Sequence, residues 1–256
     1  MKKSLHCPSA NKSVYGDIAV ADGERLSIRS LTGDAHVGRG SILSIDGSCY
    51  GDVVIDDGGS LTCSSLTGDV NAGNDTKLVV RGSCYGNVDI GRGGHFRCSS
   101  LTGDVDADAF TNVSCDGSCY GDIDIGPGGS FSSKSLTGDV HIRQNAKLNC
   151  KGSLYGDIVI DRGGVLECMS SLTGNIKNKG GSYRIRGSFY GKVREVRVSN
   201  GVPNNPKPVA ASAPDTTVLC SICGTRNAND ASECMACGSA LRAVIKNPNT
   251  GIGGLK

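Results

Sequence analysis

The sequence predicts an all-β chain: a three-sided parallel β-helix of about eleven rungs, followed by a small four-cysteine module. Three observations predict it. One phrase recurs eleven times over residues 13–195, at steps of 17 or 18 residues. Within each unit apolar and polar residues alternate, the period of a half-buried strand. Four late cysteines stand as two CxxC pairs.

The phrase runs SVYGDIAV, SLTGDAHV, SCYGDVVI, SLTGDVNA and onward to SFYGKVRE. Tyr and Thr forms alternate, so a 35-residue double repeat overlies the single one. Recurrence this regular means a solenoid. The unit is too short for helical repeats, which need about 33–47 residues. Val53-x-Ile55, Leu61-x-Cys63 and Leu78-x-Val80 carry the alternation. Three short strands fit each unit. Rungs about 4.8 Å apart would give a rod of roughly 50 Å. Glycine, 38 of 256 residues, supplies the corners.

Each position of the repeat becomes a column along the rod. One column reads Ile45, Val80, Cys115, Cys150 and Ile185. A second reads Val14, Cys49, Cys84, Cys119, Leu154 and Phe189, and a third Ile28, Cys63, Cys98, Ser133 and Cys168. Cysteine alternates there with Ile, Val, Leu and Phe, so these eight thiols read as small buried hydrophobes. The acidic column, from Asp17 through Asp157 to Asn175, reads as a corner whose side chains accept from nearby backbone N–H groups. Asn87 and Asn175 keep the acceptor and drop the charge, which disfavours a calcium column. Tyr15, Tyr50, Tyr85, Tyr120, Tyr155 and Tyr190 each sit beside a core residue and should point outward. They are a candidate ligand face, or plain packing of Tyr on Thr across strands.

Composition narrows the function classes. Net charge is +2, and residues 1–199 carry 22 basic and 22 acidic side chains. A nucleic-acid binder normally carries a basic stripe, so nucleic acid is not an expected partner. No apolar run approaches the roughly 20 residues that span a bilayer, and no secretory signal is apparent. Thirteen cysteines, an odd number, then fit a reducing cytoplasm. No catalytic grouping is visible, and the four histidines are scattered, so an enzyme is not expected. Apolar residues do recur every six positions at Leu31, Val37, Leu43, Cys49, Ile55 and Leu61. That pattern also fits a hexapeptide-type acyltransferase, but the looped-out catalytic histidine such an enzyme needs is missing.

The phrase G-D-[IV]-x-[IV] every 17–18 residues over 13–199 resembles the bactofilins. The resemblance implies a right-handed parallel β-helix. It implies a nucleotide-independent, polymer-forming cytoskeletal scaffold, cytoplasmic and often at the inner face of the membrane. Residues 1–12 only weakly resemble the family's membrane-targeting tail, which leaves membrane association open. Rungs at a solenoid end are templates for another chain. The last coil, with Phe189, Val193 and Val196, is therefore the expected polymer contact.

Residues 200–217 hold four of the seven prolines and read as a linker. Cys220, Cys223, Cys234 and Cys237 follow, spaced C-x2-C-x10-C-x2-C. Four thiolates in two knuckles suit tetrahedral Zn²⁺, and so small a segment should fold only with the metal. Residues 218–240 resemble small bacterial zinc ribbons. They also resemble the Ran-binding-protein type of zinc finger through Asn227, with Val218 where that family has Trp. Residues 241–256 form a mildly basic tail.

The expected function is a homopolymeric scaffold carrying the ribbon as a tethered docking module for a protein partner. The alternative is a non-polymerising solenoid that recognises a partner through Tyr50, Tyr85, Tyr120 and Tyr155 or through the ribbon.

Overall fold

The computed structural model describes residues 12–196, 217–219 and 226–228. The chain divides into two units, Met1–Pro206 and Lys207–Lys256. The solenoid, residues 12–196, lies in the first.

The first coil is β1 (Ser13–Tyr15), β2 (Ile18–Val20) and β3 (Arg25–Ile28). This triplet repeats through ten coils, Phe189–Tyr190 and Val193–Glu195 open an eleventh, and every pairing between coils is parallel. Each coil therefore contributes to three columns of strands. The strands that follow the Gly-Asp pair stack as one eleven-stranded sheet. The other two columns merge into a 19-stranded sheet, because strands such as Lys77–Tyr85 and His95–Thr102 run through the corner between them. No helix occurs among the described residues.

Alternation places the core. In the second coil Leu31, Ala35, Val37, Leu43 and Ile45 point inward and are buried. Their outward neighbours include Thr32, His36 and Ser44, none of them buried. Apolar burial at about 25 cal/mol per Å² favours this register, since a slip of one residue would turn every inward side chain to solvent.

Two cysteine columns read separately from the sequence are one column. Ile28 pairs with Ile45, Val80 with Cys63 and Cys98, and Cys98 with Cys115. The sequence-based reading separated them because the step alternates. In four coils the eighteenth residue is a glycine at the corner before a Tyr strand, Gly47, Gly82, Gly117 and Gly152, while the 18-residue step from Gly156 to Gly174 places its extra residue before Thr173. The corner glycine's N–H turns back to the preceding coil, as in Gly47 N–H to Arg29 O at 2.7 Å and Gly82 N–H to Ser64 O at 2.7 Å.

The Gly-Asp corner explains the glycine of the phrase. Gly33, Gly51, Gly121 and Gly156 have φ between +139° and +147°. A Cβ at Gly121 would lie 2.5 Å from the carbonyl carbon of Gly103. Coils at this corner approach too closely for any side chain. At the opposite corner a left-handed residue is also required, and Asp75, Phe110 and Asn145 fill it in three coils.

Candidate functional site

Four features of the described residues could carry function: the thiol core, the aspartate column, the tyrosine column and the last coil.

Cys49, Cys63, Cys84, Cys98, Cys115, Cys119, Cys150 and Cys168 are free and buried. Burial pushes the Cys49 thiol up to about 11 and those of Cys63 and Cys84 to about 12. A protonated, buried thiol is a poor nucleophile and a poor ligand. These residues pack as the sequence predicts.

The aspartate column is a hydrogen-bond chain between coils. Asp34 N–H donates to Asp17 Oδ1 at 3.0 Å, Asp52 N–H to Asp34 Oδ1 at 2.9 Å, and Asp69 N–H to Asp52 Oδ1 at 2.9 Å. Asn87 continues it by accepting from Asp104 N–H at 2.9 Å, and Asn175 by accepting from Lys192 N–H at 3.2 Å. The corner reading holds with one addition: the donor belongs to the next coil. Beside it the outward row Asn71, Asp89, Asp106, Asp124 and His141 completes a shallow acidic groove of about 830 Å³. Arg143 closes on Asp124 through two 2.6 Å bonds. His141 bonds Asp161 at 2.9 Å, and Lys179 bonds the same carboxylate at 3.0 Å. Partial burial would raise the Asp161 carboxyl, but these two donors hold it below the usual carboxylate range. His36 and His141 stand six rungs apart in one outward column and each pairs with an aspartate, His36 with Asp56 at 3.0 Å. No group of three or more His, Cys, Asp or Glu side chains among the described residues is arranged to hold a metal ion.

The tyrosines point outward. Tyr50, Tyr85, Tyr120 and Tyr155 are 50–55% exposed. Each alternates with an exposed threonine at the same strand position, Thr32 with Tyr50 and Thr67 with Tyr85. In three successive coil pairs the core beneath is matched to them, while Leu154 precedes Tyr155. Cys49, Cys84 and Cys119 precede Tyr50, Tyr85 and Tyr120, while Leu31, Leu66 and Leu101 precede Thr32, Thr67 and Thr102. Serines tie coils in pairs at the start of these strands: Ser30 to Ser13 and Ser65 to Ser48 at 2.7 Å, and Ser100 to Ser83 at 2.9 Å. The 35-residue period is thus physical, and sequence reasoning missed the serine pairing although the serines recur in the phrase.

The last turn of described strands is Ser182–Ile185, which closes the tenth coil, then Phe189–Tyr190 and Val193–Glu195 of the eleventh. Tyr183, Ile185 and Phe189 are only partly buried, and Val193 is exposed. Val196 is half-buried, its N–H bonded to Asn178 O at 2.7 Å. The inward column changes here from Ile160 to Asn178 to Glu195. Asn178 is buried and satisfies its amide on the Gly181 backbone.

Cys220, Cys223, Cys234 and Cys237 lie outside the described residues. Two short strands near them, Thr217–Leu219 and Arg226–Ala228, pair antiparallel with Val218 opposite Asn227. No helix of the described residues is long and apolar enough to cross a membrane.

Fold and surfaces together define a parallel β-solenoid repeat protein. No family model, curated protein or solved structure matches the chain.

Proposed function

We propose that the chain is a non-enzymatic scaffold of the bactofilin kind, which polymerises through its solenoid ends without nucleotide. The observation that carries this reading is the last coil. Its inward positions are half-open at Tyr183, Ile185 and Phe189, with Val193 exposed beside them and Glu195 ending the third inward column. In the first coil the inward residues Ile18, Val20 and Leu26 are buried and Val14 is half-buried. An apolar sheet edge with unpaired N–H and C=O groups is a template for a further coil. Phe189, Val193 and Val196 are the contact in this reading, and the rod is right-handed. Its place is the cytoplasm, with attachment to the inner membrane face left to the test.

The four cysteines would hold one Zn²⁺ as a ribbon that docks a protein partner. The hairpin supports this, because its two strands flank residues 220–225, which carry Cys220 and Cys223. Many ribbons along one polymer would raise avidity for a weak partner.

Negative-stain electron microscopy of the zinc-loaded protein without nucleotide, beside residues 1–199 alone, tests the reading. Filaments or sheets from both are expected. Discrete short rods from both would overturn the polymer and favour a solenoid that binds a partner. Phe189→Asp should disperse the assemblies in sedimentation. Metal analysis should find one zinc per chain, lost in Cys223→Ser.

A further inference from the structure

We propose that the Tyr/Thr column is a docking surface for a second copy of this chain. Two rods lie side by side, the tyrosines of each seated over the threonines of the other. The inference deepens the self-association proposed above and rests on it for the identity of the partner.

The relief of the column is the first argument. Register pairs Tyr15 with Thr32, Thr32 with Tyr50, Tyr50 with Thr67, and Thr67 with Tyr85. Large and small side chains therefore alternate at every rung, a ridge recurring about every 9.6 Å. Such a comb is complementary to itself when displaced by one rung, so that every ridge meets a hollow. The outward column of the neighbouring sheet has no such alternation: it reads Ala19, His36, Val54, Asn71, Asp89, Asp106.

The borders of the column supply the second argument. On one side runs the aspartate chain. The other corner carries Arg29, Arg81, Lys134, Lys151 and Arg186 against only two carboxylates, Asp46 and Asp116. Faces brought together with the rods parallel set the acidic border of each copy against the basic border of the other. Antiparallel rods would set aspartate against aspartate, so the parallel arrangement is the favoured one. Stacked tyrosines can also hold single-stranded bases. Here the aspartates beside them oppose phosphate.

Area is the third argument. A strip about 50 Å long and about 12 Å wide buries about 600 Å² per copy, the lower limit for a specific pair. The overall balance of charge leaves no net repulsion against it.

The test uses the full-length, zinc-loaded protein, with sedimentation velocity and small-angle scattering reading mass and cross-section. Thr67→Tyr/Thr102→Tyr fills two hollows, and Tyr85→Thr/Tyr120→Thr lowers the two ridges that face them in a parallel pair. All four positions are exposed, and both residue types suit strands. Each double variant alone should pair at least tenfold more weakly than the parent. An equimolar mixture of the two should regain the parent's pairing. Undiminished pairing by either variant alone, or no recovery on mixing, would overturn the proposal. So would a Tyr85- and Tyr120-dependent gain in fluorescence anisotropy of a labelled oligonucleotide with self-association unchanged. Filaments one rod wide would refute the side-by-side pair and keep the polymer. Paired rods that never elongate would do the reverse.

Discussion

Replacing Gly121 by alanine isolates what holds successive coils at their spacing. The residue lies at φ +144°, a region open almost only to glycine. Holding alanine there costs about 1–3 kcal/mol. Its Cβ would also stand 2.5 Å from the Gly103 carbonyl carbon and 2.9 Å from Asp104 Oδ1. Relief to ordinary contact at about 3.5 Å needs the coils to part by about 1 Å. Three bonds cross that joint: Gly103 N–H to Tyr120 O at 2.8 Å, Val105 N–H to Asp122 O at 2.9 Å, and Asp122 N–H to Asp104 Oδ1 at 2.7 Å. At about 1 kcal/mol each they add about 3 kcal/mol, so Gly121→Ala should cost about 4–6 kcal/mol. Gly16 holds the same position in the first coil, at φ +103°, with nothing within 4 Å of the added Cβ. Gly16→Ala should cost only the conformational part, about 1–3 kcal/mol. Urea unfolding followed by circular dichroism measures both. In the central variant the transition should also split, because each coil is held by its neighbours. Equal costs for the two variants would refute the close-approach argument.

Three further outcomes follow from the same geometry. Asp122→Asn should leave stability within about 0.5 kcal/mol, since the amide oxygen still accepts from Asp139 N–H, while Asp122→Ala should lose about 1 kcal/mol in thermal unfolding. The eight solenoid thiols should not react with an aromatic disulfide reagent in the native protein and should all react in denaturant, since all eight are buried out of its reach. The Asp161 carboxyl is held low when folded, so its contribution is present above the unfolded carboxylate range and lost as pH falls through the folded value. Asp161→Asn should therefore flatten part of the acid side of a stability–pH curve and leave neutral-to-alkaline behaviour parallel to the parent.

Much of the solenoid was legible because its signals are one-dimensional. The outward direction of Tyr50 follows from its place beside Cys49, and three strands per coil follow from the length of the unit. The merging of the cysteine columns was not legible in the same way. It depends on which corner absorbs the eighteenth residue, and Gly47 and Gly82 reveal that only when the coils are laid in register. Asp34 announced an acceptor, but its donor lies 18 residues away on Asp52, beyond the reach of local turn rules. Phe110 gave no warning of its left-handed backbone, since bulky side chains seldom adopt it. At the candidate surfaces, the columns were readable as rows of residues. Their relief was legible in the phrases SCYGD and SLTGD, whereas the serine bonds that tie coils in pairs required the third dimension.

The serine pairing has a consequence for how such a rod can grow. Coils are joined in twos, and the corner glycine recurs with the same beat. Duplicating 35 residues would lengthen the molecule by one whole beat, leaving every column in phase. Duplicating a single coil would set two like coils in succession, tyrosine beside tyrosine or threonine beside threonine, with the serine partnership broken. The solenoid is thus graduated in double steps of about 9.6 Å, and growth by whole graduations keeps its columns and serine pairs in phase.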